Sequence, residues 1–528
     1  MNITAGGGPI KSVSIAGVTV TTEEASQIDL RGGGDLTAYR WITGTGGTTD
    51  ILASDDSYAV IPGFSSRFSP YSPGYLNSNL ADSAILFADS STSNNGFGVG
   101  SRIHLDAGSG LPAGDYTLLP ARYALMDGAF LVTKKSSKPV GGIELSDGSK
   151  WVSGYLYNGL SSSGGANIRR AQFEVLDGTQ INDRAEYAVY SANSLLKASA
   201  LRLDKAIPQL PTDSGALVFQ SSGILNLRGT VFGKSVSGGT GATIDISATG
   251  DMVIAGRGSQ STPTQTILDS AVLSSWGADS LLLGGIRNST STGTSLMANA
   301  RNITVDNAGT ALAGPELILA ANRILEMKVD AEIRQEGTKT SSSGVWTMGD
   351  TAVSGSGNGV LLWISSDESA DILRSGTTTA AGPNLVIQSG AQLVGNRLIL
   401  DSTAATTLSP ASVLHANVVS LNSGQISIQL NNPGALPPTT GLVLTNASLA
   451  GLNSVSSLSF LSYSSLDIYG FGQIGSPALG RLALHSGEIR GFNNGGGTVS
   501  ISASEISLDN SPGNSGPGSV AALSGTLA

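Results

Sequence analysis

The feature that most constrains the fold is a short pattern that recurs along the second half of the chain. Roughly every 20 to 24 residues within 217–508 there is a run in which apolar side chains alternate, bounded by Gly, Ser, Asn or Asp. Asn396–Leu400 is followed about 21 residues later by Asn417–Leu421, and Arg481–Leu484 is matched about 24 residues later by Glu505–Leu508. Alternation at period two predicts short strands separated by turns.

Two further matches extend the pattern. Ile303 is matched by Ile324, and Leu442–Leu444 follows Asn417–Leu421 at a similar distance. A repeat this small cannot bury its own apolar face, so its copies must stack on one another. The sequence therefore predicts an all-β protein that folds as a right-handed parallel β-helix, with about three short strands in each coil.

A region of different composition interrupts the repeat. Ten of the 12 tyrosines lie between Tyr39 and Tyr190, prolines cluster in the same region, and the repeat spacing is absent. Aromatic side chains supply the large buried area that a compact core requires. We therefore predict β-helix coils at 1–50, a globular aromatic-rich insertion at 51–205, a parallel β-helix at 206–510, and a flexible Gly-, Pro- and Ser-rich tail at 511–528.

Composition excludes several classes of partner. The net charge of −10 argues against nucleic acid and against an anionic membrane surface, and no hydrophobic stretch is long enough to span a membrane. The chain has no cysteine, which favours a protein that crosses the bacterial periplasm unfolded. Because Met1–Gly6 has neither the basic region nor the apolar core of a signal peptide, we predict an internal or C-terminal piece of a longer exported chain.

Several motifs in the first 190 residues resemble a block found in bacterial filamentous haemagglutinin-like exoproteins. The motifs lie at Asp29–Trp41, Gly44–Leu52, Leu111–Leu125, Gly128–Val132 and Arg184–Tyr187. These motifs are fairly specific, whereas the flanking coils match the family only in their general composition and pattern. The N-terminal secretion domain of that family, with its Asn-Pro-Asn-type motifs, is not in this sequence, so the export route is an inference.

The resemblance implies a secreted or outer-membrane-surface adhesin. Such a chain is exported by two-partner secretion through an outer-membrane transporter, and it binds a host or matrix surface glycan or protein. No catalysis and no cofactor are expected. A related hypothesis makes the chain the stalk of a contact-dependent toxin-delivery exoprotein.

An enzyme remains the alternative from a different class. Parallel β-helices also carry polysaccharide lyases and hydrolases, whose carboxylates act in a groove. The best acidic cluster contains Asp367, Glu368 and Asp371, together with Arg374; solvated loops are the simpler interpretation. The three histidines are isolated in sequence and cysteine is absent, so no metal site is predicted.

The aromatic insertion is the best candidate for a recognition surface, because exposed Tyr and Trp side chains on loops often bind sugars and proteins. The candidate residues are Tyr58, Phe64, Phe68, Tyr71 and Tyr75, which are interleaved with prolines. The competing interpretation is that these rings form the insertion's own core.

Overall fold

A computed structural model of the protein describes residues 11–33, 37–44, 47–54, 56–64, 69, 99–139, 141–157, 169–207, 212–290, 293–378, 382–431, 433–434, 441–452, 455–492, 495–510 and 513. Strands account for 51% and helices for 9% of the structure, so the protein is all-β, as the sequence predicts. Contacts divide the chain into unit 1, made of Met1–Gly34 and Gln209–Ala528, and unit 2, made of Asp35–Pro208. Among the described residues, no helix has the length and apolarity to cross a membrane.

The first two described strands, β1 (Ser12–Thr22) and β2 (Gln27–Asp29), belong to unit 1. The described strands of unit 2 are β3 (Thr37–Ile42), β4 (Ser57–Val60), β5 (Arg102–Leu105), β6 (Gly114–Thr117), β7 (Leu119–Pro120), β8 (Phe130–Ser136), β9 (Ile143–Glu144), β10 (Lys150–Tyr157), β11 (Arg170–Leu176) and β12 (Glu186–Ser191). Its described helices are α1 (Gly178–Arg184) and α2 (Ala192–Arg202), with 3-10 helices at Ile51–Ala53 and Ala121–Leu125.

Unit 2 is built around an antiparallel sheet of eight strands, in the order β6-β5-β10-β11-β8-β4-β7 with β9 beside β10. Side chains alternate across each strand, so the sheet packs against one core on each face. Ile103, Val132 and Phe173 belong to the first core, and Leu131 and Ile181 belong to the second. The two cores explain why this region needs so many aromatic and aliphatic residues.

The boundary predicted near residue 50 differs from the contact boundary of unit 2, which begins at Asp35. The physical reason is that β3 pairs antiparallel with β12, far away in sequence. A sequence pattern of local spacing does not reveal such a pairing. Thr37–Ile42, assigned to β-helix coils from the sequence, is therefore part of unit 2.

The remaining strands all belong to unit 1. In chain order they are β13 (Ala216–Leu227), β14 (Thr230–Phe232), β15 (Thr243–Ala248), β16 (Asp251–Ala255), β17 (Thr266–Asp269), β18 (Ser280–Leu283), β19 (Gly285–Thr290), β20 (Gly293–Ala298), β21 (Asn302–Asp306), β22 (Leu312–Gly314), β23 (Glu316–Ala321), β24 (Ile324–Met327), β25 (Glu332–Gln335), β26 (Val345–Met348), β27 (Val360–Ser365), β28 (Asp371–Arg374), β29 (Asn384–Ile387), β30 (Gln392–Val394), β31 (Arg397–Ser402), β32 (Ala405–Leu408), β33 (Val413–His415), β34 (Val418–Ser423), β35 (Ile426–Gln429), β36 (Leu442–Thr445), β37 (Ser457–Ser462), β38 (Ser465–Tyr469), β39 (Gly472–Gly475), β40 (Arg481–His485), β41 (Glu488–Phe492), β42 (Val499–Ser502) and β43 (Glu505–Asp509). The helices of this part are α3 (Ser270–Ser275) and α4 (Asn446–Leu452).

Three mostly parallel sheets dominate unit 1. The long sheet has eleven strands in the order β1-β13-β15-β18-β23-β27-β31-β34-β37-β40-β43. The second sheet has ten, in the order β17-β16-β21-β24-β29-β32-β36-β35-β38-β41, and the third has four, in the order β22-β25-β30-β33. The long sheet and the third sheet take up their strands in chain order, whereas in the second sheet β16 and β17, and also β35 and β36, lie in the reverse order.

The inner core of unit 1 comes from in-register stacking of apolar residues. In the long sheet Leu398 lies beside Val419, which lies beside Leu458, which lies beside Leu482. These side chains are at most 1% exposed, and each contributes about 1.5–3 kcal/mol by leaving water. The stacking therefore provides the burial that one short repeat lacks.

A smaller sheet covers the middle of the long sheet on its other side. This cover sheet has the order β19-β20-β26-β28. Its Trp346 packs on Trp363 of the long sheet, with ring centroids 4.8 Å apart, and Ile318 and Ile399 join the same cluster. Strands β23, β27 and β31 are consequently buried on both faces, and they are apolar runs rather than alternating ones.

The pairings test the sequence spacings one by one. The spacing of about 21 residues before Asn417–Leu421 is confirmed, since Leu398 pairs with Val419, and the last match is confirmed by the pairing of Arg481 with Glu505. Ile303 instead pairs with Leu325, because the register shifts by one residue. Leu442–Leu444 enters the second sheet beside β35 rather than the long sheet.

Candidate functional site

The acidic cluster proposed from the sequence is spread over different contacts. Asp367 Oδ1 accepts a hydrogen bond from the Ser369 backbone N–H at 2.9 Å, so it caps its own turn. Burial acts to raise the pKa of Asp367, but the backbone N–H groups of Ser343 and Ser369 lower it to about 2. Glu368 accepts from Asn417 Nδ2 at 3.4 Å.

Asp371 and Arg374 lie at opposite ends of β28. Asp371 lies 3.5 Å from Arg397, whereas Arg374 Nε donates to Asp401 Oδ1 at 2.7 Å and both side chains are completely buried. The two ends of a strand of this length are about 10 Å apart. The structure thus brings Asp371 near Arg397, but it assigns Arg374 to a separate buried pair.

The buried pairs of unit 1 join the cover sheet region to the long sheet. Asp401 Oδ2 also accepts from Tyr463 Oη at 2.7 Å and from Asn422 Nδ2 at 2.9 Å. Burial raises the pKa of Tyr463 well above its usual value, so this hydroxyl remains a donor. The Asp401 carboxylate accepts three hydrogen bonds and is completely buried, so it holds strands together and offers no reacting atom to solvent.

The aromatic residues proposed for binding have different environments. Tyr58 is half-buried against the core that contains Phe173, and Phe64 is half-buried against the core that contains Ile181. These cores lie on opposite faces of the unit 2 sheet, so Tyr58 and Phe64 do not form one surface. Phe68, Tyr71 and Tyr75 lie outside the described residues.

A different aromatic surface lies on one face of the same sheet. In β10 the residues Val152 and Leu156 point to a core, so the alternate residues Trp151, Tyr155 and Tyr157 lie on the other face. All three are half-buried. Alternation within one strand therefore gathers three large aromatic side chains on a single face.

Neighbouring strands add polar side chains to this face in one row. Tyr155 lies opposite His104 on one side and opposite Arg170 on the other, and His104 lies opposite Asp115. Directly opposed residues of antiparallel strands project to the same face. We call the tyrosine face the set Arg102, His104, Asp115, Tyr155, Tyr157 and Arg170.

The rings of the tyrosine face are held in place by their neighbours. His104 stacks on Tyr155 with ring centroids 4.8 Å apart and an interplanar angle of 14°, and the Tyr155 and Tyr157 rings are 5.8 Å apart. The His104 Nδ1 atom is 2.9 Å from Asp115 Oδ1. These contacts order three rings before any ligand arrives, which reduces the entropy lost on binding.

The charged groups of the face are paired locally. Arg170 forms an ion pair with Asp106, at the end of β5, and Arg102 donates to Thr117 Oγ1 at 2.6 Å and to the Asp115 backbone oxygen at 3.2 Å. Burial raises the pKa of Tyr157, so its hydroxyl stays protonated at neutral pH. Both donors and acceptors are thus present beside the rings.

A buried carboxylate fixes the adjacent end of β10. Glu174 receives Arg184 Nη2 at 2.9 Å, Lys135 Nζ at 2.8 Å and the Trp151 indole N–H at 3.4 Å. Burial acts to raise the pKa of Glu174, but the hydrogen bonds from Arg184 and Lys135 are together stronger and lower it. The ionised carboxylate therefore orients Trp151 beside the tyrosine face.

Two further residues show how closely these strands are packed. A Cβ atom on Gly154 would overlap the backbone oxygen of His104, so glycine allows β5 and β10 to approach. Gln172, which lies opposite Ser153, is 3% exposed. Its Nε2 atom is buried and makes no hydrogen bond within the described part of the chain. Buried amide donors of this kind are uncommon in folded proteins.

Unit 1 has a separate open cleft of about 470 Å³. Leu281 and Leu317 lie in its apolar floor, and Lys234, Asp279 and Glu336 are its charged lining residues. Asp279 Oδ2 accepts from the Gly241 backbone N–H and from Thr340 Oγ1, each at 2.8 Å, so it fastens two loops. The Asp279 carboxylate is therefore occupied by contacts within the protein.

The described residues contain no group of three or more His, Cys, Asp or Glu side chains that could hold a metal ion. No family model matches the chain, and neither a curated protein nor a solved structure is significantly similar to it. The geometry of the tyrosine face is therefore the basis for any functional assignment to it.

The sequence contains a signal for the tyrosine face. Trp151, Ser153, Tyr155 and Tyr157 alternate with apolar or small residues, which is the period-two pattern of a half-exposed strand. His104 lies in a similar alternating run. Its partnership with Tyr155 and Asp115 depends on antiparallel pairing between distant segments, so the isolated histidine gave no indication of it.

Proposed function

We propose that the protein is a secreted or bacterial outer-membrane-surface adhesin of the filamentous haemagglutinin-like type. In this proposal unit 1 is a right-handed parallel β-helix that serves as a scaffold, and unit 2 carries the surface that contacts a host, matrix or neighbouring-cell surface. Export through an outer-membrane transporter belongs to the same proposal. The protein binds its target without transforming it.

The observation that carries the proposal is the in-register parallel stacking of unit 1. Three sheets receive strands of the chain in turn, in chain order except for two exchanged neighbouring pairs in the second sheet, as coils of a solenoid do. Connections between parallel strands strongly favour the right-handed sense, which supports the handedness. A stacked scaffold with an inserted antiparallel unit is suited to presenting a recognition surface.

The position of ordered aromatic and polar groups supports recognition by unit 2. The tyrosine face combines three rings in contact, of which His104 and Tyr155 are stacked, with hydrogen-bond donors and acceptors beside them. Aromatic and arginine side chains contribute most of the energy at many binding surfaces. By contrast, the acidic residues near β28 make separate structural contacts.

The test uses the purified full chain, with calcium, against immobilised polysaccharides, extracellular-matrix proteins and intact host or bacterial cells. We expect retention without the release of new chain ends. Release of chain ends would overturn the proposal in favour of a polysaccharide-cleaving enzyme. Absence of retention on every surface would contradict it and favour an inert stalk.

A further inference from the structure

We infer that the tyrosine face is a binding site for a neutral glycan chain. This inference rests on the proposed adhesin function and deepens it, because it assigns a ligand class to particular residues. Three features of the face support it: the rings, the hydrogen-bonding groups beside them, and the balance of charge.

The rings provide a surface for the C–H groups of a sugar. His104, Tyr155 and Tyr157 form one contiguous group of half-buried rings, with centroid separations of 4.8 and 5.8 Å. The faces of aromatic rings carry negative partial charge. The axial C–H groups of a pyranose carry a slight positive charge, so a sugar ring packs well against such a surface.

The flanking groups match the hydroxyl groups of a sugar. The side chains of Asp115 and Asp106 are 45% and 35% exposed, and their carboxylates can accept hydrogen bonds from hydroxyl groups. Arg170, whose side chain is 48% exposed, can donate to hydroxyl oxygens. Hydrogen bonds to ionised groups are roughly twice as strong as those between neutral groups.

The charge balance favours a neutral ligand over a polyanion. The two arginines of the face, Arg102 and Arg170, are matched in charge by Asp115 of the face and by Asp106, which directly follows β5. A sulfated or uronic-acid polymer would need an excess of positive charge to replace the counterions it loses. The whole chain is also acidic, with a net charge of −10.

The experiment compares retention of the purified full chain on neutral polysaccharides, such as galactomannan and xyloglucan, with retention on heparin and alginate. We expect retention on at least one neutral polymer that is insensitive to salt. Preferential retention on heparin or alginate that disappears with salt would overturn the ligand class.

Variants then locate the site. Tyr155→Ala and Tyr157→Ala should each weaken retention about tenfold, through loss of an aromatic contact. Tyr155→Phe should restore it. Tyr190→Ala is the matched control, because Tyr190 is an exposed tyrosine of unit 2 that belongs to a different sheet. Unchanged retention of both alanine variants would overturn the site.

A second measurement covers the possibility that an alanine variant fails to fold. Hydrogen exchange of the unaltered protein, with and without a neutral oligosaccharide, should show protection in β5, β6 and β10. Protection elsewhere would overturn the inference. If the chain adheres to cells or matrix proteins but to no polysaccharide, the inference fails and the adhesin proposal stands. If it adheres to nothing, both fail.

Discussion

Unit 1 and unit 2 both bury apolar side chains against a large sheet, but they assemble that sheet in different ways. In unit 1 the strands of the long sheet lie side by side in chain order, and most neighbours are parallel. In unit 2 the neighbours are antiparallel, and strands as distant as β3 and β12 pair. The comparison shows that pairing in chain order produces a uniform scaffold, whereas pairing out of chain order gathers dissimilar side chains on one face.

One strand of unit 1 departs from the parallel arrangement, and its surroundings also contain dissimilar side chains. β27 runs antiparallel to both its neighbours in the long sheet. At this interruption the chain also forms β26 and β28 of the cover sheet, and buried charges occur here as they do at Asp245 and Asp467. Glu316, which is fully buried, forms an ion pair with Lys339 and accepts from Trp363 Nε1 at 3.2 Å. Departure from the repeat thus coincides with polar groups in specific contacts.

The largest expected effect comes from removing one buried ring in each unit. Phe460→Ala in unit 1 and Phe173→Ala in unit 2 should each lower the free energy of unfolding by about 3–5 kcal/mol, because both rings are at most 2% exposed. Hydrogen exchange read by mass spectrometry should show the loss of protection in the unit that carries the substitution. Equal loss of protection in both units after either substitution would show that the two units do not unfold separately.

The second-largest expected effect comes from breaking a buried ion pair near β27. Asp401→Ala leaves the Arg374 guanidinium buried without its carboxylate, so we expect a loss of about 3 kcal/mol. Denaturant unfolding measures it. The matched control is Glu505→Ala, which removes the exposed pair with Arg481 and should change stability by less than about 1 kcal/mol. Similar losses for the two variants would show that burial does not matter here.

A smaller effect depends on pH and distinguishes unit 2. The folded-state pKa of Glu174 lies below its ordinary value, so the ionised form stabilises the fold above the unfolded-state pKa. That contribution is lost as the pH falls through the folded-state pKa. Thermal unfolding between pH 7 and pH 3 should therefore depend less on pH in Glu174→Gln than in the unaltered protein. An unchanged pH dependence would contradict the role of Arg184 and Lys135.

The smallest effect concerns the cleft of unit 1. Lys234→Ala alters an exposed lining residue, so stability should change by no more than about 0.5 kcal/mol. Retention on polysaccharides should also be unchanged, because the proposed contact surface is in unit 2. A clear loss of retention would show that unit 1 takes part in binding.

Local spacing in the sequence predicts contacts well where each strand lies beside the next repeat. The pairing of Leu398 with Val419 and that of Arg481 with Glu505 could be predicted for this reason. The prediction was wrong at Ile303, where a one-residue register shift left Ile324 39% exposed. Alternation alone does not fix register when both neighbours in a run are apolar.

The candidate site was harder to predict from the sequence than the fold of unit 1. The aromatic richness of unit 2 is evident, yet the clustering of rings and prolines favours the loop containing Tyr58 and Phe64 over the alternating strand that contains Tyr155. Those two loop rings differ because each packs on a separate core. The row from Asp115 through His104 and Tyr155 to Arg170 requires the order of four strands, which local patterns do not supply.

The central claim is that unit 1 supports and unit 2 binds. The most direct test is retention of the full chain on intact target cells, comparing Tyr155→Ala in unit 2 with Lys234→Ala in unit 1 at equal folded concentration. The account predicts that Tyr155→Ala loses most of its retention while Lys234→Ala keeps it. Retention that survives Tyr155→Ala but is lost in Lys234→Ala would contradict the account.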